Sequence, residues 1–125
     1  MNRERGAALV EFALVLSVLV LILFGIIEFG RAYNTKISLT HASREGVRVL
    51  AVTGDAEEAV AATRHATPTL DQALLGVTAL GVTASGCTPG EPTEVKVTYP
   101  LTYDIPLFGS ATITLASTAV MQCGG

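Results

Sequence analysis

The sequence predicts an α+β protein with a long N-terminal transmembrane and stem helix, a second, shorter helix, and a small antiparallel sheet of about three strands packed on the stem. Three observations lead to this fold class. An uncharged apolar run extends from Phe12 to Ile27, and the chain then continues without proline to Thr53. After Gly76 the composition changes to short runs of threonine and valine between turn residues. The 125 residues carry a net charge of −3 and leave room for one membrane helix and one small domain.

The apolar run is long enough to cross a bilayer. The 21 residues from Ala7 to Ile27 contain one ionisable side chain, Glu11, and reach roughly 31 Å as a helix. A secretory signal peptide has an apolar region of only about 7–15 residues, so this length argues against one. The plain alternative is an uncleaved single-pass anchor that holds an extracytoplasmic binding domain. That alternative leaves Glu11 unexplained, because an unpaired carboxylate in an apolar span costs a few kcal/mol.

A cleaved N-terminus would supply a partner for Glu11. This residue lies four positions after Ala7, one helical turn away on the same face. Cleavage between Gly6 and Ala7 would create a positive α-amino group one turn from Glu11, or opposite the Glu11 of a neighbouring subunit. The carboxylate could then be neutralised within the apolar segment.

Three blocks in the first 50 residues carry a resemblance to a known family. They are Arg5–Leu16 (RGAALVEFALVL), Phe24–Arg31 (FGIIEFGR) and Ser43–Arg48 (SREGVR). The first block resembles a type IV prepilin processing site, with a basic leader that ends in glycine and a glutamate at the fifth mature position. The three blocks in this order resemble the TadE-like pseudopilins of tight-adherence (Flp) pilus systems, and the segment from Val95 to Met121 resembles their C-terminal part more loosely.

The resemblance implies a minor pilin or pseudopilin that acts in assembly or priming of a Tad/Flp pilus used for adhesion or secretion. Prepilin peptidase would process the chain at a site made by Gly6, Ala7 and Glu11. The implied partners are this peptidase, the major Flp pilin, other minor pseudopilins, the pilus platform proteins and, before assembly, membrane lipid. The chain would cross the cytoplasmic (inner) membrane once, with its N-terminus in the cytoplasm, and could enter the extracellular pilus.

This interpretation divides the chain into four segments. Residues 1–6 form the leader, 7–29 the transmembrane and filament-packing helix, 30–53 a stem extension, and 54–125 an extracytoplasmic head. Phe29 and Tyr33 are placed where an aromatic belt would meet the outer lipid headgroups. The residues expected to pack against other subunits are Glu11, Phe12, Leu16, Leu19, Leu23, Gly25 and Glu28.

The stem and the second helix follow from periodicity and capping residues. One helical stripe is formed by Leu39, Ala42, Gly46, Val49, Leu50 and Thr53. The charged cluster at 44–48 is either a solvated face or a subunit contact, in which Ala42 and Gly46 would allow close approach of another helix. Gly54 and Asp55 predict a helix end and a new N-cap. The second helix is expected over Ala56–Ala66, and Asp71–Leu75 could add a short helical turn.

Three segments have the composition of strands. Val77–Ser85 is the first, and Glu94–Tyr99 is the clearest because apolar and polar residues alternate along it. Ala111–Gln122 is the last strand. Leu101–Ile105 is expected to be an edge segment or an irregular link, because Pro100 and Pro106 bracket it.

Cys87 and Cys123 flank the predicted sheet. A disulfide between them is expected because a head outside the cytoplasm lies in an oxidising compartment. Two unpaired thiols, or a lipid-modified or intermolecular cysteine, are the alternatives.

No residue pattern predicts catalysis, so the chain is not expected to be an enzyme or to take a cofactor or small-molecule substrate. His41 and His65 lack the spacing of a zinc site, and no metal is expected. The chain is slightly acidic and has no basic stripe for nucleic acid.

Overall fold

The computed structural model describes residues 2–124, so Met1 of the predicted leader and Gly125 of the predicted head lie outside the described residues. Helix α1 spans Asn2–Thr53 and α2 spans Ala56–His65; the strands are β1 (Gly76–Leu80), β2 (Pro92–Ile105) and β3 (Gly109–Gln122). The strands form an antiparallel sheet in the order β1-β2-β3. The predicted fold class is confirmed. The chain divides into a unit that ends at Tyr33 and a second unit, here called the head unit, that begins at Asn34.

The core of the head unit combines the C-terminal part of α1 with α2 and the sheet. Its buried apolar members are Leu39, Val47, Leu50, Ala59, Leu75, Val95 and Val97. The predicted helical stripe is confirmed for Leu39, Ala42, Gly46 and Leu50, which are all buried, whereas Val49 is half-buried and Thr53 is exposed. The buried face of α1 is wider than the predicted stripe and also includes Ser43, Val47 and Ala51, because both α2 and the sheet pack against this part of the helix.

The turn between the helices has the predicted capping residues. Gly54 has a positive φ of 67° and donates its N–H to the Leu50 carbonyl at 2.8 Å, an ending that favours glycine. The Asp55 side chain caps α2 by accepting the N–H of Glu57 at 2.8 Å. At Asp71–Leu75 the chain makes a single turn, in which the Leu75 N–H donates a hydrogen bond to the Asp71 carbonyl at 3.2 Å.

The alternation predicted for Glu94–Tyr99 is confirmed, since Val95 and Val97 are buried and Lys96 is exposed. The first strand is shorter than predicted and ends at Leu80 instead of Ser85. Gly81 follows with a φ of 82°, in a position where a Cβ would collide with the Pro92 carbonyl oxygen. The chain beyond Gly81 forms a tight turn in which Thr83 and Gly86 exchange backbone hydrogen bonds of 2.9 and 3.0 Å.

The segment Leu101–Ile105 is a regular continuation of β2, so the expectation of an irregular link was wrong. The edge character was predicted correctly, because β1 pairs with β2 only as far as Thr98 while β3 pairs along its whole length. A proline, which has no N–H to donate, is tolerated on such an open edge. The β2–β3 hairpin closes at residues 106–108, with the Phe108 N–H donated to the Ile105 carbonyl at 3.1 Å.

A disulfide joins Cys87 to Cys123, as predicted, with 6.0 Å between the Cα atoms. Backbone hydrogen bonds surround it. The Cys123 N–H donates to the Glu91 carbonyl at 2.8 Å, and the Gly124 N–H donates to the Ala51 carbonyl at 2.8 Å. The end of β3 is thereby fixed both to the loop before β2 and to α1. Neither cysteine of the described chain is free.

Candidate assembly site on helix α1

The surface of α1 ahead of the head unit is apolar and uncovered. Every described residue from Asn2 to Leu23 is exposed. Among the residues predicted to pack against other subunits, the exposed fractions are 64% for Phe12, 44% for Leu16, 59% for Leu19 and 55% for Leu23. A helix that is apolar on all sides has no stable place in water and needs lipid or other helices around it. This helix is long and apolar enough to cross a membrane.

Two polar side chains, Glu11 and Ser17, interrupt the apolar segment from Ala7 to Ile27, and only one of them is bonded within the helix. The Ser17 hydroxyl donates to the Ala13 carbonyl at 2.7 Å, so its donor is satisfied within the helix. Glu11 is exposed and has no ion-pair partner in residues 2–124. It is therefore the acidic group of this segment that needs a partner from outside.

Gly6, Ala7 and Glu11, the predicted processing residues, lie within the unbroken helix α1. Apart from its chain neighbours and the backbone of the helix itself, no atom lies within 4 Å of the position that a Cβ on Gly6 would take. Ala7 and Glu11 are separated by one turn on the same helical face. The local geometry thus permits a new amino group at Ala7 to reach the Glu11 carboxylate.

Charged and aromatic side chains follow the apolar run. The Glu28 carboxylate pairs with the Arg31 guanidinium one turn later, at 3.4 Å. The rings of Phe29 and Tyr33 are stacked with centroids 6.4 Å apart. Glu28 was predicted to contact other subunits, and here it has a charge partner in its own chain. Gly25, another predicted packing residue, has open space where a Cβ would be.

The third block of the predicted resemblance, Ser43–Arg48, has two faces. Ser43, Gly46 and Val47 are buried in the head unit, whereas Arg44 and Arg48 are exposed. Gly46 faces Thr63 of α2 and Val95 of β2, and a Cβ there would overlap the Thr63 hydroxyl. The interpretation of Gly46 and Ala42 as a contact for another subunit was wrong, because the chain's own head buries both residues.

The exposed face of this block is a solvated ion pair, as the alternative interpretation predicted. Glu45 and Arg48 approach to 3.0 Å. The hydrogen bond from Arg48, together with its charge, lowers the pKa of the Glu45 carboxyl below its usual range. Such exposed pairs contribute little to stability, so this pair is not what holds the head unit together.

Two polar contacts that attach α1 to β3 were not predicted. The Ser43 hydroxyl donates to the Thr40 carbonyl at 2.9 Å and lies 3.2 Å from the Ser117 hydroxyl. The Lys36 ammonium donates to the Ala116 carbonyl. Both connect residues more than 70 positions apart in the sequence, and no local pattern marks such pairs. His41 and His65 are exposed, and no group of metal-ligating side chains occurs within residues 2–124.

Within residues 2–124, these features define a class of protein with one N-terminal helix able to span a membrane and a small α+β unit closed by a disulfide. The family model described as TadE-like protein matches residues 6–48, which cover the predicted processing residues, the apolar run and the SREGVR block. Over these residues, about a third of the chain, the sequence is similar to TadE-like proteins. No curated protein and no solved structure matches the chain.

Proposed function

We propose that this protein is a minor pilin, or pseudopilin, that prepilin peptidase cleaves between Gly6 and Ala7 and that acts in assembly or priming of a Tad/Flp pilus. The observation that carries the proposal is the uncovered apolar surface of α1 together with the Glu11 carboxylate, which lies one turn after Ala7 and has no ion-pair partner in the described part of the chain. The TadE-like match to residues 6–48 supports it. The proposal assigns no catalytic role to the chain.

Glu11 couples the cleavage to assembly in this proposal. Before cleavage, the leader places Arg3, Glu4 and Arg5 at the cytoplasmic face and holds the helix in the bilayer. After cleavage, the α-amino group of Ala7 carries a positive charge that can pair with Glu11 of the same or a neighbouring subunit. Pairing lowers the cost of a carboxylate in an apolar environment, so the subunit can leave lipid and enter a bundle of helices.

The apolar side chains of 7–29 then pack the subunit against its neighbours. Phe12, Leu16, Leu19 and Leu23 are spaced by four, three and four residues and share one face of α1. The major Flp pilin, companion pseudopilins and the platform proteins are the proposed partners. The head unit lies outside the cytoplasmic membrane, in an oxidising compartment where the disulfide is stable.

The first test is the N-terminal residue and intact mass of the chain purified from membranes, with and without co-expressed prepilin peptidase. We expect a chain that begins at Ala7 only when the peptidase is present. A Gly6→Val variant, which should block cleavage without disturbing the helix beyond it, provides the matched control. A chain that keeps residues 1–6 in its native host would overturn the proposal in favour of an uncleaved membrane anchor.

The second test separates processing from assembly. We expect a Glu11→Gln variant to insert into the membrane yet fail to support pilus formation, because the neutral amide cannot pair with the new N-terminus. Glu57→Gln is the matched control, since Glu57 is an exposed carboxylate of α2 outside the packing residues, and this variant should form pili as the parent chain does. Normal piliation with Glu11→Gln would contradict the role assigned to this carboxylate.

A further inference from the structure

The β2–β3 hairpin ends in an exposed apolar segment, Ile105–Phe108, called here the hairpin tip. Leu107 is 102% exposed, Phe108 80% and Ile105 41%. From Val97 to Gln122 the chain carries a single charged residue, Asp104. A group of adjacent exposed apolar side chains marks a surface that contacts something else.

The conformation of Leu107 strengthens this inference. Its φ is 72°, a left-handed conformation that favours glycine or asparagine and is unfavourable for leucine. The side chain touches nothing that would compensate, since it is fully exposed. Folding of the head therefore gains nothing from a leucine here, and the side chain has a use only if the tip meets an apolar environment outside the chain.

The contacts of β3 with α1 show at which end of the head unit the tip lies. Gly124 bonds to Ala51, Ser117 meets Ser43, and Ala116 accepts from Lys36. From its C-terminal end to its N-terminal end, β3 therefore runs along α1 towards Asn34. From Ala116 to Gly109 it continues for seven more residues, roughly 23 Å of strand. The tip therefore lies at the end of the head unit that contains Asn34 and Lys36.

We propose that the hairpin tip inserts into the interfacial region of the lipid bilayer that anchors the protein. This inference rests on the membrane anchoring in the proposed function. The anchoring segment ends at Phe29, and the head unit begins five residues later in the sequence, at Asn34, so the end of the head unit that carries the tip is the end attached to the anchor. Because the head is tethered to the same bilayer, even a small apolar contact has a high effective concentration.

The shape and chemistry of the tip favour lipid over a protein partner. Three protruding side chains offer roughly 500 Å² at most, whereas a standard protein interface buries about 800 Å² on each side. The tip also lacks the charges that would specify a partner. Its strands are paired with each other, so shallow insertion leaves few backbone groups without hydrogen bonds.

A tryptophan at the tip gives a direct test, because the chain contains none. The full chain with Phe108→Trp is reconstituted in phosphatidylethanolamine/phosphatidylglycerol vesicles with or without brominated acyl chains. We expect emission at shorter wavelength and strong quenching by the brominated lipid. The matched control is Val52→Trp, a 69% exposed position next to Ala51 at the other end of the unit, which should emit as in water and remain unquenched.

A second variant tests the tip without risk to folding. Leu107→Gly, made in the Phe108→Trp background, should reduce the quenching while the thermal midpoint of the head stays unchanged or rises. If the Phe108→Trp chain floats with the vesicles but is not quenched, the tip proposal is overturned and the anchoring stands. Emission at shorter wavelength without quenching would reveal a protein contact and also overturn it. A chain that does not float with vesicles would overturn the anchoring and the tip proposal together.

Discussion

At the scale of single residues, Gly46 explains why a glycine stands in the middle of an otherwise regular helix. A glycine inside a helix costs up to about 1 kcal/mol relative to alanine, so it needs a compensating contact. Here the absent side chain leaves room for Thr63 of α2, whose hydroxyl donates to the Ala59 carbonyl at 2.7 Å. The glycine of the SREGVR block thus serves the packing of the head on its own stem.

Gly46→Ala should destabilise the head unit even though alanine is the better helix former. The added Cβ overlaps the Thr63 hydroxyl and lies 3.2 Å from Val95 Cγ1. Overpacking of this kind costs about 1–3 kcal/mol and exceeds the gain in helix propensity. We expect a lower midpoint of denaturant unfolding for the full chain in detergent, followed by near-ultraviolet circular dichroism.

Two further variants identify the cause of that loss. Gly30→Ala adds the same methyl group to α1 where nothing lies within 4 Å, and it should leave unfolding unchanged. Adding Thr63→Ala to Gly46→Ala removes the obstructing hydroxyl and should recover part of the lost stability. If Gly46→Ala is as stable as the parent chain, the close packing of α1 on α2 is not what requires the glycine.

At the scale of elements, local sequence patterns predicted the core of each helix and strand but not all of their ends. The alternation around Val95 and Val97 and the Asp55 cap depend on neighbouring residues, so they could be predicted from the sequence. The end of β1 depends on Gly81 meeting Pro92, eleven positions away, and the extent of β2 depends on pairing of Leu101 with Ile113. Contacts between distant residues leave no periodic pattern in the sequence.

The disulfide is the covalent link between elements, and its removal should weaken the whole head. The bridge closes a loop with a sequence separation of 36 residues, worth roughly 3–4 kcal/mol in the chain-entropy model. We expect the Cys87→Ser/Cys123→Ser double variant to show a lower thermal midpoint than the oxidised parent. The parent treated with a reductant should fall to the same value. Equal midpoints for the oxidised parent and the double variant would show that the backbone hydrogen bonds around Cys123 stabilise the head without the disulfide.

At the scale of the whole molecule, the candidate site and the head differ in how far the sequence could predict them. Gly6, Ala7 and Glu11 lie within five positions of each other on one helix, so their proximity could be predicted from their spacing in the sequence. The hairpin tip and the burial of Gly46 arise from contacts between segments distant in the sequence, which no local pattern indicates. The folded head also includes α1 from Asn34 on, which the helix end predicted at Gly54 does not indicate.

A fragment that begins at Asn34 should therefore fold by itself, whereas a fragment that begins at Gly54 should not. Leu39, Val47 and Leu50 of α1 belong to the buried core, and burial of three such side chains contributes about 5–9 kcal/mol. That is comparable with the total stability of a small domain, about 5–15 kcal/mol. We expect cooperative thermal unfolding and dispersed NMR amide signals for residues 34–125 but not for residues 54–125. Both fragments keep Cys87 and Cys123, so the disulfide cannot cause the difference, and cooperative unfolding of the shorter fragment would contradict a core that depends on α1.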